Sequence, residues 1–267
     1  MAKYSKIRFM KENLQQENKA YWLGRAKGYS EVNKEELAGV QRENWTSFLS
    51  GMIMKNYPDK RPEEIRILDV GAGPGFISII LAEAGFSVTA VDFAETMLQE
   101  ARVNAGAVAE KITFVQSDAL NLPFDKEVFD VVFSRNLMWN IQFPDKAYEE
   151  WLRVLKPGGL LLVFDANWYT YLVDEQKQTE FQQDRQNVAE ADLEDYNIGE
   201  NFDVMEAIAY EMPSTRRHRP QWDKEFLEGI KAGTVETVED VGSLLYSEKE
   251  KINYKSTPMF MVKLVKG

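Results

Sequence analysis

Cysteine is absent from this chain, and His218 is its one histidine in 267 residues. Without thiols there are no disulfides, no thiolate metal site and no cysteine nucleophile, and a lone imidazole cannot build a histidine metal cluster. No metal is expected. No apolar run approaches the roughly 18 residues that a membrane helix needs, and the stretch Met1–Met10 is polar and basic, unlike a leader. A soluble, cytoplasmic protein with no membrane partner is the expectation. Basic charge is also scarce: 32 Lys and Arg stand against 43 Asp and Glu, a net charge of -11. That balance argues against affinity drawn from neutralised phosphates, so no nucleic-acid partner is expected. Internal repeats and low-complexity runs are lacking too. Apolar side chain is plentiful, at 44% of residues, which supports a large core, and the length suits one α/β domain with an insertion.

The rest is organised around residues 65–75. Ile65, Ile67, Leu68 and Val70 form a short apolar run, the mark of a strand buried on both faces. Gly71, Gly73 and Gly75 follow at alternate positions, and Phe76 to Ala84 reads as a helix stopped by Gly85. Glycine lets backbone approach a ligand closely because it has no Cβ. Asp69 sets a carboxylate at the end of this strand. A dinucleotide-binding turn would need a small sixth residue, where this chain has Phe76. A second strand, Ser87 to Asp92, ends in an acid 21 residues after Gly71, where nucleotide folds hold a carboxylate for a ribose diol. A carboxylate suits that task because it accepts two hydrogen bonds. A third strand, Lys111 to Asp118, also ends in an acid, although an Asp opening a loop is often a turn residue. The fourth strand is Phe129 to Ser134. A helix over Asp145–Leu155 and the turn Lys156-Pro157-Gly158-Gly159 lead to a fifth, Leu160 to Asp165.

The spacing G-x-G-x-G with an acid two residues upstream resembles the first motif of class I S-adenosylmethionine-dependent methyltransferases. The segments "FDVV" at Phe129–Val132 and "RVLKPGGLLLVF" at Arg153–Phe164 strengthen it, and the resemblance runs from Tyr21 to Asn167, in the small-molecule branch. It implies a Rossmann-like, doubly wound, seven-stranded sheet, mostly parallel with the last strand antiparallel, plus a helical lid insertion. It implies S-adenosylmethionine as cofactor and a small or medium organic acceptor methylated by in-line transfer. The cofactor residues it implies are Asp69, Gly71, Ala72, Gly73 and Gly75 at the first turn, and Asp92, Phe93 and Met97 at the second. Asp118 and Ala119 would meet the adenine, while Arg135 and Asn136 follow the fourth strand. Tyr21 and Tyr29 belong to an aromatic segment that folds over the cofactor in such enzymes, or simply fills the gap beside the core.

In-line transfer from a sulfonium needs alignment more than acid–base chemistry, so no triad is expected. Residues after the fourth and fifth strands are the candidates for the acceptor: Trp139, Asn140, Asn167, Trp168 and Tyr169. Asp165 is either a general base or a strand-end residue with a structural hydrogen bond. Ser134 and Arg135 do not supply the ligand that a metal-dependent catechol-type enzyme would need. The alternatives are a protein or RNA methyltransferase, a non-catalytic adenosylmethionine-binding module, and a nicotinamide dehydrogenase, which Phe76 disfavours.

One domain over residues 1–267 is expected, as an N-terminal helical segment (1–64), a cofactor-binding core (65–167), the insertion (168–222) and a closing helix with strands (223–267). Asn33 with Glu36 three residues on reads as a helix start, opening a helix that carries Trp45, Leu49 and Ile53. The insertion is acidic, through residues such as Asp184, Asp195 and Glu200, yet studded with aromatics, and reads as a lid. Its basic run, Arg216, Arg217, His218 and Arg219, is a solvated face or an anion site for an acceptor bearing carboxylate or phosphate. A monomer or homodimer is expected.

Overall fold

The computed structural model describes residues 14–198 and 201–267; the Met1–Met10 stretch and Glu200 lie outside them. Seven strands form one sheet in the order β3-β2-β1-β4-β5-β7-β6: β1 (Arg66–Val70), β2 (Ser87–Asp92), β3 (Ile112–Gln116), β4 (Phe129–Arg135), β5 (Leu155–Asp165), β6 (Gly233–Val238) and β7 (Phe260–Lys266). The first five pair in parallel, and β7 runs antiparallel to both β5 and β6. The expected doubly wound sheet is therefore what forms.

Strand periodicity divides the core between two faces. Ile67, Val131, Phe133, Leu160, Leu162 and Phe164 point to one, where α2 (Val40–Asn56) lays down Trp45, Leu49 and Ile53 at four-residue spacing. Leu68, Val70, Val132, Leu161 and Val163 point to the other, against Ala147, Tyr148 and Trp151 of α5 (Pro144–Val154). With helices on both faces, the central strands are apolar throughout, as parallel strands must be. Lys156-Pro157-Gly158-Gly159 is not a separate turn but a bulge inside β5. The pairing jumps there from Phe129↔Leu155 to Val131↔Leu160.

The helix start expected at Asn33 does not occur. A single helix, α1 (Leu14–Ala38), runs through Asn33 and Glu36, and the break falls at Gly39 before α2. Asn33 instead caps another helix: its Oδ1 accepts from the Phe76 N–H at 3.1 Å, at the start of α3 (Phe76–Glu83). A buried helix N-terminus needs such a partner for its orphan N–H. Ala94 supplies no side-chain cap to α4 (Glu95–Ala105); its N–H is held by Asp92 Oδ1 at 2.9 Å.

Between β5 and α8 (Gln221–Gly229) the chain inserts α6 (Glu175–Glu190) and α7 (Phe202–Glu211). Asp174 caps α6 by accepting from the Lys177 N–H at 2.9 Å. Met205, Ile208 and Ala209 of α7 bury against Leu14 and Trp139. Two short helices, α9 (Gly242–Leu245) and α10 (Glu248–Asn253), precede β7. Among the described residues, no helix is long and apolar enough to cross a membrane.

Candidate active site

The strand order reverses between β1 and β4, and a ligand crevice in such sheets opens at the carboxyl ends beside that point. Here it is a cleft of about 1010 Å³. The turn after β1 forms its floor. Gly71, Gly73 and Gly75 all have left-handed φ, of 73°, 53° and 95°, and a Cβ would meet something different at each. At Gly71 it would stand 2.6 Å from Leu137 Cδ2, and at Gly75 2.9 Å from Ala101 Cβ of α4. At Gly73 the nearest atom is the Tyr29 ring, at an ordinary 3.5 Å. Protein packing therefore accounts for two of the glycines, while at the third a Cβ would only touch the Tyr29 ring. Gly75→Ala is expected to cost about 1–3 kcal/mol of folding stability, from strained backbone and crowding, read as a lower denaturation midpoint.

Asp92 ties the turn to the end of β2. Its Oδ2 accepts from the Gly73 N–H at 2.9 Å, and burial pushes its carboxyl up to about 6. Asp69 is pushed up to about 6 for the same reason, although the Ser78 hydroxyl donates to it at 2.6 Å. Its side chain belongs to a smaller cavity of about 290 Å³ behind the turn, shared with Ala72 and Arg135. Gly75 lines neither space. Phe93, Met97 and Ala119 line the cleft, as does Asp118. Asp118 Oδ1 also accepts from the Leu120 N–H at 3.0 Å, forming an Asx turn, and its Oδ2 pairs with Lys19 at 3.5 Å.

Helix α1 covers the cleft. Gln15, Asn18, Lys19, Trp22 and Tyr29 line it, at spacings that lay one face of the helix across the opening. Of these, Trp22 and Tyr29 fall in the aromatic segment expected from sequence; for the others the stripe of 15, 18, 19, 22 and 29 was the available signal. Tyr21 does not line the cleft and stands edge-on to Trp22, with ring centroids 5.4 Å apart. Gln142 and Phe143, in the segment after β4, were also missed.

After β4, Arg135 and Asn136 line the cleft. Arg135 is nearly buried, paired with Glu36 at 2.9 Å and laid over the Phe76 and Trp45 rings. Burial pushes the Glu36 carboxyl up, against the pull of that guanidinium. Asn136 takes a left-handed φ of 54°, and its backbone carbonyl accepts from Trp139 Nε1 at 2.9 Å. Its side-chain Oδ1 is buried without a partner. Asn140 lines the cleft, whereas Trp139 sits behind it against Trp22 and Tyr169.

Neither the residues after β5 nor the basic run reach the cleft. Asp165 is fully buried, and its oxygens accept from the Trp139 and Ala166 N–H groups, Trp168 Nε1 and Arg219 Nη1. That geometry favours the structural role for Asp165 over the base. Asn167 Nδ2 donates to the Arg219 carbonyl at 2.8 Å, and Tyr169 is packed on Trp139. Arg216 lies over Tyr210, Arg217 over Trp222 at 3.8 Å, and the His218 carbonyl accepts from the Trp222 N–H. The basic run is thus spent on local packing and a buried ion pair. The insertion braces α1 from outside, and α1 is the element over the ligand space. Among the described residues, no three His, Asp or Glu side chains are grouped to hold a metal ion.

Residues 68–163 match a family described as a methyltransferase domain. The demethylmenaquinone methyltransferase of Clavibacter sepedonicus is 44% identical over 98 residues, covering 37% of this chain and 40% of that protein. That of Leptospira interrogans serovar Lai is 34% identical over 146 residues, covering 49% of this chain and 59% of its own length. The chain thus spans about half the length of these relatives. A putative S-adenosyl-L-methionine-dependent methyltransferase from Methanococcus maripaludis shares the fold at TM-score 0.55 and 19% identity, over 91% of this chain and 93% of that one. The plantazolicin methyltransferase BpumL, solved with S-adenosylhomocysteine, does so at TM-score 0.59 and 12% identity, over 96% and 99%.

Proposed function

We propose that this chain, a class I S-adenosylmethionine-dependent methyltransferase by its matched domain and sheet order, transfers a methyl group to a small organic acceptor. One observation carries the reading: Gly73, Asp92 and Asp118, from the ends of three successive parallel strands, line a single cleft. The fit to the cofactor rests on two features. Gly73 leaves space where a Cβ would stand, and Asn136 Oδ1 is a buried acceptor with no partner near Tyr29 and Arg135. Asp92 would accept from the ribose diol, Asp118 and Ala119 would border the adenine, and Gly71, Tyr29 and Asn136 would enclose the methionine end.

The cofactor's sulfonium supplies an activated methyl group, so the protein's work is alignment and exclusion of water. Helix α1 closes the cleft for that purpose. The two cations that line the cleft, Lys19 and Arg135, are already paired with Asp118 and Glu36, which suits a small acceptor better than a nucleic-acid backbone.

Titration calorimetry tests the class. S-adenosylmethionine and S-adenosylhomocysteine are expected to bind, and NAD is not, because Phe76 occupies the place of the third glycine. Gly73→Val is expected to abolish cofactor binding in a folded protein, since its side chain would project into the cleft. Normal binding by that variant, or tight NAD binding, would overturn the assignment.

A further inference from the structure

Asn18 and Trp22 stand four residues apart on α1, and both line the cleft. Asn140 lines it from the short helical turn after β4. The Asn18 amide donates to the Asn140 backbone carbonyl at 3.3 Å, and the Trp22 ring packs on neighbouring Trp139, with centroids 6.3 Å apart. The three side chains therefore form one wall. On it, Asn18 Oδ1, Asn140 Oδ1 and Trp22 Nε1 are buried without a hydrogen-bond partner. A buried polar atom left unpaired is costly, so three on one cleft wall call for a ligand that completes them.

We propose that Asn18, Trp22 and Asn140 recognise the methyl acceptor, and that the acceptor presents an uncharged or cationic hydroxyl or amine there rather than an anion. This rests on the methyltransferase reading above. Two carbonyl oxygens demand N–H or O–H donors, and the indole N–H accommodates one acceptor atom. A carboxylate or phosphate would face those two oxygens, and the cation beside them, Lys19, already lies 3.5 Å from the Asp118 carboxylate. The anionic acceptor suggested by the basic run is thereby replaced: that run does not reach the cleft. The wall is carried by α1 and the segment after β4, and Trp22 extends it to Ala94 and Met97 at the start of α4. Leu137, Ile141 and Phe143 beside it favour a flat apolar body behind the polar group.

The experiment uses the full chain saturated with S-adenosylhomocysteine and two probes, 4-hydroxybenzyl alcohol and benzoate, with affinities measured by ligand-observed NMR. The alcohol is expected to bind about tenfold tighter, the effect of one good hydrogen bond. Asn18→Leu, Asn140→Leu and Trp22→Phe, each checked for an unchanged melting transition, are expected to erase that preference while S-adenosylhomocysteine affinity holds. Equal or tighter benzoate binding, no binding of the alcohol, or a preference that survives all three variants would overturn the proposal. A tenfold loss of S-adenosylhomocysteine affinity in the variants would also overturn it, assigning the wall to the cofactor. Failure of the unaltered protein to bind S-adenosylhomocysteine would instead sink the methyltransferase reading itself, and this proposal with it.

Discussion

Asp92→Ala is expected to weaken S-adenosylmethionine binding by about 1.5–3 kcal/mol, the range for hydrogen bonds to a charged group. The carboxylate sits at the end of β2 and already accepts from the Gly73 and Ala94 N–H groups, leaving lone pairs on both oxygens for a diol. Removing it also frees the glycine turn and the start of α4, so the loss should fall toward the upper end. A pH signature accompanies it. Burial raises this carboxyl from 3.8 to about 6, so between those values the folded protein binds more protons than the unfolded chain. The contribution of Asp92 to folding stability is therefore greatest at acid pH and declines as pH rises toward about 6. Cofactor binding runs the other way, because a hydroxyl donates to the ionised form: affinity should climb through about pH 6 and then level. Asp69 is also raised to about 6, but its side chain lies behind the turn, so the step that alanine abolishes belongs to Asp92. Calorimetry across pH 5 to 8 on both proteins checks it (~3 units, spanning the ordinary range of such switches). An unchanged affinity in a folded variant would remove Asp92 from the site.

The parts of this architecture legible in sequence are those set by local chemistry. The apolar runs at Ile67–Val70 and Val131–Phe133 could only be strands covered on both faces, and Gly71, Gly73 and Gly75 could only be a tight turn. Acids at the ends of the second and third strands, Asp92 and Asp118, marked the cleft because strand ends converge there, while Asp69 at the end of the first lies behind the turn. What sequence left open depends on long-range partners. Asn33 and Glu36 carry a capping spacing, yet Asn33 caps α3 and Glu36 pairs with Arg135, 43 and 99 residues away. The basic run has the composition of an anion site, but each arginine found a ring or acid that no local pattern reveals. Trp22 lay within the aromatic segment expected over the cofactor, but Asn18 was hidden for the opposite reason: α1 has no strong amphipathic contrast, since its cleft-facing stripe is itself polar and aromatic.

Arg219→Met is expected to destabilise the fold by about 3–5 kcal/mol, the cost of stranding a buried partner charge. Arg219 is 1% exposed. Its Nη1 donates to Asp165 at 2.7 Å, and its Nε and Nη2 donate to Asp223 at 2.8–3.0 Å. Its guanidinium also lies 4.9 Å from the Phe260 ring centroid. Both acids are fully buried, and Tyr148 donates its hydroxyl to Asp223 as well. Without the guanidinium, two carboxylates would share one dry space, and the insertion would lose its link to the end of β5. Burial already pushes the Asp165 carboxyl up, with Arg219 opposing. In the variant that opposition is gone, the folded-state pKa rises further, and the stability deficit should grow as pH rises. Adding Asp165→Asn and Asp223→Asn should recover part of it by removing the stranded charges. Denaturant unfolding at two pH values measures both effects. Were Arg219 instead an acceptor anchor, the variant would keep its unfolding midpoint and lose only affinity for acceptor. A midpoint that falls, and partly returns in the triple variant, assigns Arg219 to the fold.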